Sequence, residues 1–264
     1  MRRVSHTGDT PLRRVTDPEV FFGRRRFVQA AAAVGALGPS AFGQTKPPGD
    51  PVLAPPLARP EVFPARRAAE PALPEDIDAS ITPRRVAATH NNFYEFLPGR
   101  AGDVWRYARD FTVEPWQVEI TGECLKPAVL DLDALFAIAH EERLYHFRCV
   151  ERWAMNVPWT GFPLRRLLER VQPTSHARFV RFVSARRPEQ MPGLRRSGGY
   201  PWPYHEGLRI DEAMHDLAMV VTGVYGAPLL KQHGAPVRIV VPWKYGYKSP
   251  KSVVRIELVR TQPR

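Results

Sequence analysis

Six short β-type runs, broken by only three short helical stretches, set the limits on this fold. Trp116 to Ile120 alternates polar and apolar residues and is closed by Thr121-Gly122. Leu144 to Arg148 is a near-continuous strand-like run. Arg178 to Ser184, Ala218 to Thr222 and Val237 to Val241 follow, the last stopped by Pro242. Ser252 to Arg260 alternates, with Val253, Arg255, Glu257 and Val259 on one face and Val254, Ile256 and Leu258 on the other. A helix is expected over Leu130 to His140, with Asp131 as N-cap and Leu132, Leu135, Phe136 and Ala139 on one face. A second is expected over Pro163 to Val171, with Pro163 in its first turn. A third, short one runs from Ile210 to Asp216, capped by Asp211 or its neighbour. Strands do not alternate with helices, so the expected class is α+β with mixed or antiparallel sheets.

The 264 residues suit one large domain or two small ones. Hydrophobic residues make up 44%, enough for a core. The formal charge of +11 suits an anionic partner or cofactor. The basic residues are scattered, with no run longer than Arg24-Arg25-Arg26, which speaks against nucleic acid. Residues 1–43 have the pattern of a twin-arginine signal peptide: Gly23 to Val28 carries the arginines, Ala30 to Leu37 is uncharged, and Ala41-Phe42-Gly43 is a small-x-small cleavage candidate. That apolar stretch is too short to span ~30 Å of hydrocarbon. The signal implies export of an already folded protein to the periplasm. Its removal takes away seven arginines and three acids and leaves +7. Residues 44–83 hold ten prolines and read as an extended, polyproline-like tether over the domain surface. Residues 84–264 form the globular part. Pro188 to Pro203, rich in Pro and Gly, reads as a loop at the rim of a site.

Arg148-Cys149-Val150-Glu151-Arg152-Trp153 joins the strand-like run to a turn-rich, aromatic segment, Trp153 to Pro163. It holds one of only two cysteines, the other being Cys124. A strand end that hands a soft ligand to a loop is a common way to build a site. By itself, Cys149 reads first as a small buried hydrophobe. A Cys124–Cys149 bridge stays open, and there is no metal-spaced C-x-x-C.

Five further segments occur in order around this stretch: Asn91 to Phe96, Trp153-x-Met155-x-Val157-Pro158-Trp159, Pro188 to Gly193, Gly234 to Arg238 and Val241 to Gly246. Together with Arg148 to Glu151 they resemble the catalytic molybdopterin subunit of the periplasmic protein-methionine-sulfoxide reductases, over roughly residues 20–262. The resemblance implies a sulfite-oxidase-like molybdopterin-binding fold. It implies one molybdenum on one molybdopterin, with Cys149 as the protein's thiolate ligand. Asn91, Tyr94, Glu95 and Arg238 match pterin-contacting positions, and Lys251 with Ser249 and Pro250 matches a phosphate-side loop. His233 stands where the family usually has Asn, and Ser184 where a close relative has Thr. Cys124 has no matching role. Family members continue for several tens of residues beyond the strand that ends near Arg260, so a tail is expected to be missing.

The implied reaction is oxygen-atom transfer from methionine sulfoxide in oxidised periplasmic proteins, which restores an apolar side chain. No haem or flavin fingerprint is present, so electrons are expected from a membrane haem-binding partner that draws on quinol. Trp153, Trp159, Trp202 and Tyr204 are candidates to line the mouth of the site, with core packing as their other reading. Two other readings remain: the same centre acting on sulfite or another S- or N-oxide, and a truncated, non-catalytic cofactor-binding protein.

Overall fold

The computed structural model describes residues 49–55, 57, 62–63, 65–68, 80–99, 102–196 and 200–263. The signal segment, residues 1–43, lies outside the described residues. Among these, no helix is long and apolar enough to cross a membrane.

Two five-stranded sheets form the body. The first has the order β2-β1-β10-β5-β6, built from β1 (Gln117–Gly122), β2 (Ala128–Asp131), β5 (Phe179–Ser184), β6 (His205–Arg209) and β10 (Val253–Val259). β1 and β10 run parallel and the other pairs antiparallel. The second has the order β3-β4-β7-β8, with β9 also on β7. Its strands are β3 (Glu141–Arg148), β4 (Ala154–Pro163), β7 (Met219–Val224), β8 (Ala227–Pro228) and β9 (Arg238–Val240). The helices described are short: α1 (Arg84–Thr89), α2 (Val104–Tyr107), α3 (Leu132–Phe136), α4 (Leu164–Val171) and α5 (Ile210–Ala213). The α+β expectation with mixed sheets and few helices holds.

The periodicities explain which elements carry the core. Every residue of β7 is buried, which accounts for its uninterrupted apolar run. α4 buries Leu164, Leu167, Leu168 and Val171, the i, i+3, i+4, i+7 face. Each such side chain removed from water contributes about 1.5–3 kcal/mol. Phe96, Phe111 and Trp116 meet edge to face, and the Trp116 indole N–H donates to the Val253 carbonyl at 2.9 Å. This ties the region after α2 to the start of β10.

Four local expectations are corrected. Residues 130 and 131 belong to β2, and the helix that Asp131 caps is only Leu132–Phe136. The Asp131 carboxylate accepts from Ala134 N–H at 2.8 Å, and Ile138 rather than Ala139 is buried beyond it. The segment after Trp153 is the ten-residue strand β4, despite its proline. Pro158 is tolerated because the ladder with β7 begins only at Trp159. In β10 a register shift between Val253 and Arg255 puts Val253 on the buried side with Ile256 and Leu258. The third helix ends at Ala213, and Arg209, not Asp211, is its N-cap residue.

Described parts of the proline-rich stretch lie against this body. Leu57 and Val62 are buried. The Pro51 carbonyl accepts from Gln232 Nε2 at 2.6 Å. Arg67 forms a parallel bridge with Glu142, and its guanidinium reaches the Glu142 carboxylate at 2.8 Å.

β4 lies close against β7 at Gly161, next to the β4 register shift. A Cβ there would collide with the Val220 carbonyl oxygen. Gly161→Ala is therefore expected to cost about 2 kcal/mol or more, within the range for overpacked cores. Urea unfolding of wild type and variant checks this, and equal midpoints would disprove the close approach.

Candidate molybdenum-cofactor site

Cys149 lies one residue past β3, in the turn that returns the chain into β4. Its N–H donates to the Trp153 carbonyl at 2.9 Å, and Arg152 N–H donates to the Cys149 carbonyl at 3.2 Å. Closing this turn puts Arg152 at φ 75°, a left-handed conformation that costs a side-chain-bearing residue about 1–2 kcal/mol. The sulfur is buried and receives two N–H groups: Glu151 N–H at 3.5 Å and Asn92 Nδ2 at 3.8 Å. Burial pushes the thiol above its ordinary range and the Glu151 carboxylate adds to this, while the Glu151 N–H and the Lys251 charge oppose it. Cys124 and Cys149 are both free thiols, so the possible bridge between them is not formed.

The segment after α1 supplies the wall beside the sulfur. Asn91 donates its amide to the Ala87 and Ala88 carbonyls, both at 3.2 Å. Tyr94 donates to Glu151 Oε1 at 3.0 Å, which ties this segment to the cysteine turn. Burial, reinforced by Glu151, raises the Tyr94 hydroxyl well above its ordinary value, so the phenol keeps its proton. Glu95 is buried; desolvation raises its carboxyl, and the nearby Lys251 charge only partly offsets this. The Lys251 ammonium sits 5.3 Å above the Phe93 ring, and burial lowers its pKa.

The opposite wall is organised by Arg238, the first residue of β9, which is 2% exposed. Its guanidinium donates to the carbonyls of His233 at 2.8 Å, Ser249 at 3.0 Å and Ile239 at 3.3 Å. It also lies 4.9 Å from the Trp159 ring centre and 5.4 Å from that of Phe147. Among the described residues no carboxylate pairs with it, and burial brings its pKa down to about 9. His233 bonds Ala87 O through Nε2 at 2.8 Å, which places the proton on that nitrogen. Burial depresses the ring to about 4, so it is neutral. Ser249 Oγ accepts from Val241 N–H and the Pro250 carbonyl accepts from Ile239 N–H.

The predicted residues thus gather into one region. Asn91 and His233 share the carbonyls at the end of α1, Arg238 joins His233 to Ser249, and Tyr94 joins Glu151 to the cysteine turn. Ser184, the last residue of β5, comes in through the backbone: its N–H bonds Tyr204 O and Ala185 N–H bonds Ser252 O, next to Lys251. Sequence reasoning assigned no role to Asn92, Glu151 or Phe147. Asn92 and Glu151 stood inside quoted motifs, but nothing in a linear sequence tells a donor to sulfur from a turn residue. Trp159, a candidate for the mouth or the core, packs against the Arg238 guanidinium. Trp153 and Tyr204 are partly buried, and Trp159 is core.

Six polar atoms around this region are buried without a partner among the described residues: Asn91 Oδ1, Asn92 Oδ1, Ser184 Oγ, His233 Nδ1 and the indole nitrogens of Trp153 and Trp159. Each such atom costs about 1–3 kcal/mol. The unpaired Arg238 adds a desolvated cation. A set of unfilled donors and acceptors, two cations and one soft thiol fits an anionic, amide-rich cofactor that carries a thiophilic metal. Among the described residues there is no group of three or more His, Cys, Asp or Glu side chains that would hold a metal without such help.

A lone thiol set in this surround defines a molybdopterin-dependent oxidoreductase, and the family described as "Oxidoreductase molybdopterin binding domain" matches residues 106–264. The sulfane dehydrogenase SoxCD from Paracoccus pantotrophus has a similar fold, with a TM-score of 0.54 at 17% identity over 87% of this chain and 59% of that one. This bears out the sulfite-oxidase-like class. The chain belongs, more narrowly, to the protein-methionine-sulfoxide reductase catalytic subunits. It is 45% identical to the one named MsrP in Xanthomonas axonopodis pv. citri, over 96% of this chain and 75% of that protein. It is also 45% identical to that of Burkholderia mallei, over 97% and 75%. Its cofactor is accordingly molybdenum on molybdopterin.

His233 and Glu95 give opposite pH dependences in the cofactor-free protein. With the folded His233 ring near 4 against an ordinary 6.5, the unfolded chain binds the proton first. Its stabilisation is complete above pH 6.5 and is lost as pH falls through 4, by about 3 kcal/mol. Glu95 is raised above its ordinary 4.5, so its contribution is lost as pH rises. The stability of wild type minus that of His233→Asn should therefore rise between pH 4 and 6.5. Parallel urea profiles for the two proteins would refute the buried neutral ring.

Proposed function

We propose that this protein reduces methionine sulfoxide in oxidised periplasmic proteins, with electrons from a membrane haem-binding subunit that draws on the quinone pool. One observation carries the reading: a single buried thiol just past the end of β3, gathered into one region with Arg238, which no carboxylate neutralises, and with unfilled Asn, Ser and His atoms. The relatives named for this activity, at 45% identity, support methionine sulfoxide as the substrate.

The chain's residues divide the work. Cys149 holds the metal as its thiolate, and the two N–H groups on its sulfur spread that charge. Arg238 and Lys251 offset the negative charge of the cofactor's phosphate and sulfurs. Asn91 Oδ1 and His233 Nδ1 supply acceptors, and Ser184 Oγ a hydroxyl, to its polar edges. When bound, the molybdenum cofactor supplies oxygen-atom acceptance and the two-electron exchange. Near neutral pH Tyr94 keeps its proton at the phenol oxygen, while burial raises the Glu95 carboxyl to about 7, where it can hold or release one. The overall change balances as sulfoxide plus two electrons and two protons giving thioether and water.

Residues 1–43, outside the described part, would export the protein folded, with cofactor already in place. The mature charge of +7 suits docking beside an anionic membrane face.

Cys149→Ser keeps the size of the side chain and removes the soft ligand. Reduction of an oxidised protein with a dye donor should fall by roughly a hundredfold or more, with metal content reduced and the fold intact. Wild-type rate and molybdenum content in this variant would remove Cys149 from the mechanism. Replacing Arg24 and Arg25 by Lys should leave precursor in the cytoplasm; undiminished periplasmic yield would rule out the export route.

A further inference from the structure

The turn that carries Cys149 presents two cations the fold does not use. Arg148 and Arg152 flank the thiol and are both exposed. Among the described residues neither guanidinium has a hydrogen bond or an ion pair; Arg170, Arg178 and Arg186 share this, whereas Arg143, Arg165, Arg181, Arg209, Arg255 and Arg260 are all paired. The one acid in the turn, Glu151, is engaged by Tyr94.

Arg152 adds a second, independent observation. Its φ of 75° lies where glycine is at ease and any side chain is penalised. A long cationic side chain stands there without making a contact that repays the strain. Stability would favour glycine here, and four other side-chain-bearing residues share such a φ, but Arg152 alone among them sits in the cysteine turn with its charge turned to solution.

The surface beside it is apolar and aromatic. Val150 is 42% exposed, and Tyr245 and Tyr247 are 49% and 36% exposed. The tyrosines are held against the end of β3 by Gly246. A Cβ at Gly246 would lie 2.8 Å from the Phe147 ring and 3.6 Å from the Arg148 carbonyl oxygen. The surface of the cysteine turn therefore combines two free guanidiniums with exposed aromatic and aliphatic faces.

Resting on the reductase reading above, we propose that this mouth selects methionine sulfoxides flanked by acidic residues in an extended polypeptide segment. The sulfoxide enters toward Cys149, and Arg148 and Arg152 pair with Asp or Glu side chains on either side. At about 3.3 Å per residue of extended chain, an arginine reaches carboxylates one to three residues away. Tyr245 and Tyr247 cover the apolar parts of the same segment. Such rim charges act mainly on capture and specificity, and they weaken with salt.

The test uses molybdenum-loaded protein, a dye electron donor and three peptides with one central methionine sulfoxide flanked by Glu, Gln or Lys. The expected order of kcat/KM is Glu, then Gln, then Lys, with about a fivefold or greater spread between the extremes at low ionic strength. The spread should shrink with added salt and flatten in the Arg148→Gln/Arg152→Gln protein. Arg152→Gly should lose part of the preference with no loss of thermal stability, since it relieves the strained turn. Equal kcat/KM for the three peptides, an unchanged order in the double variant, or a clear drop in Tm for Arg152→Gly would overturn the inference while leaving the reductase reading standing. Failure to reduce any of the three would instead overturn that reading, and this inference with it.

Discussion

A buried arginine without a carboxylate holds the cofactor region together. Arg238 spends its donors on three main-chain carbonyls, from the turn before it, from its own strand and from the loop ahead of β10. Its face rests on Trp159 of β4 and Phe147 of β3. One side chain thus fixes the 231–233 turn, the 249–251 loop and two strands of the second sheet relative to one another. Carbonyls orient a guanidinium but leave its net charge uncompensated, and burial makes that charge costly. An apolar side chain of the same volume would pack more cheaply. The cation is retained where an anion is to be bound.

The two sheets then act as a frame for loops. β3 delivers Cys149 at its end, β5 ends at Ser184, and β9 begins at Arg238. The loop between β9 and β10 supplies Ser249 to Lys251, and α1 contributes the Ala87 and Ala88 carbonyls that seat Asn91 and His233. Each functional side chain sits at the edge of a regular element, where the backbone is fixed but the side chain is free to turn inward. The His233 ring fills its place with one nitrogen bonded to Ala87 and the other left open, as an acceptor.

Much of the fold was legible from period alone. The wholly buried, largely apolar run of β7 and the i, i+3, i+4, i+7 face of α4 read directly, because burial imposes those patterns. The strand β4 did not, since Pro158 and Gly161 look like turn residues until one knows where the β7 ladder starts and how near Val220 lies. The short α3 was overextended because β2 and α3 share apolar residues whose period changes at Asp131. At the site, Cys149, Asn91 and Arg238 could be named from ordered motifs. Asn92 and Phe147 could not, because their roles arise from approach across sheets and loops.

Gln232 links two parts of the molecule that are far apart in sequence. Its amide nitrogen donates to Pro51 O at 2.6 Å and to Ala88 O at 3.1 Å. Ala88 is also an acceptor for Asn91. The proline-rich stretch is thus buckled, through one amide, to the same peptide group that positions a wall of the cofactor region. Tension applied to the chain at Pro51 would be felt first at that wall rather than in the sheets. A filled site would brace the buckle from within, so loading and the mechanical security of the amino-terminal stretch are coupled by geometry.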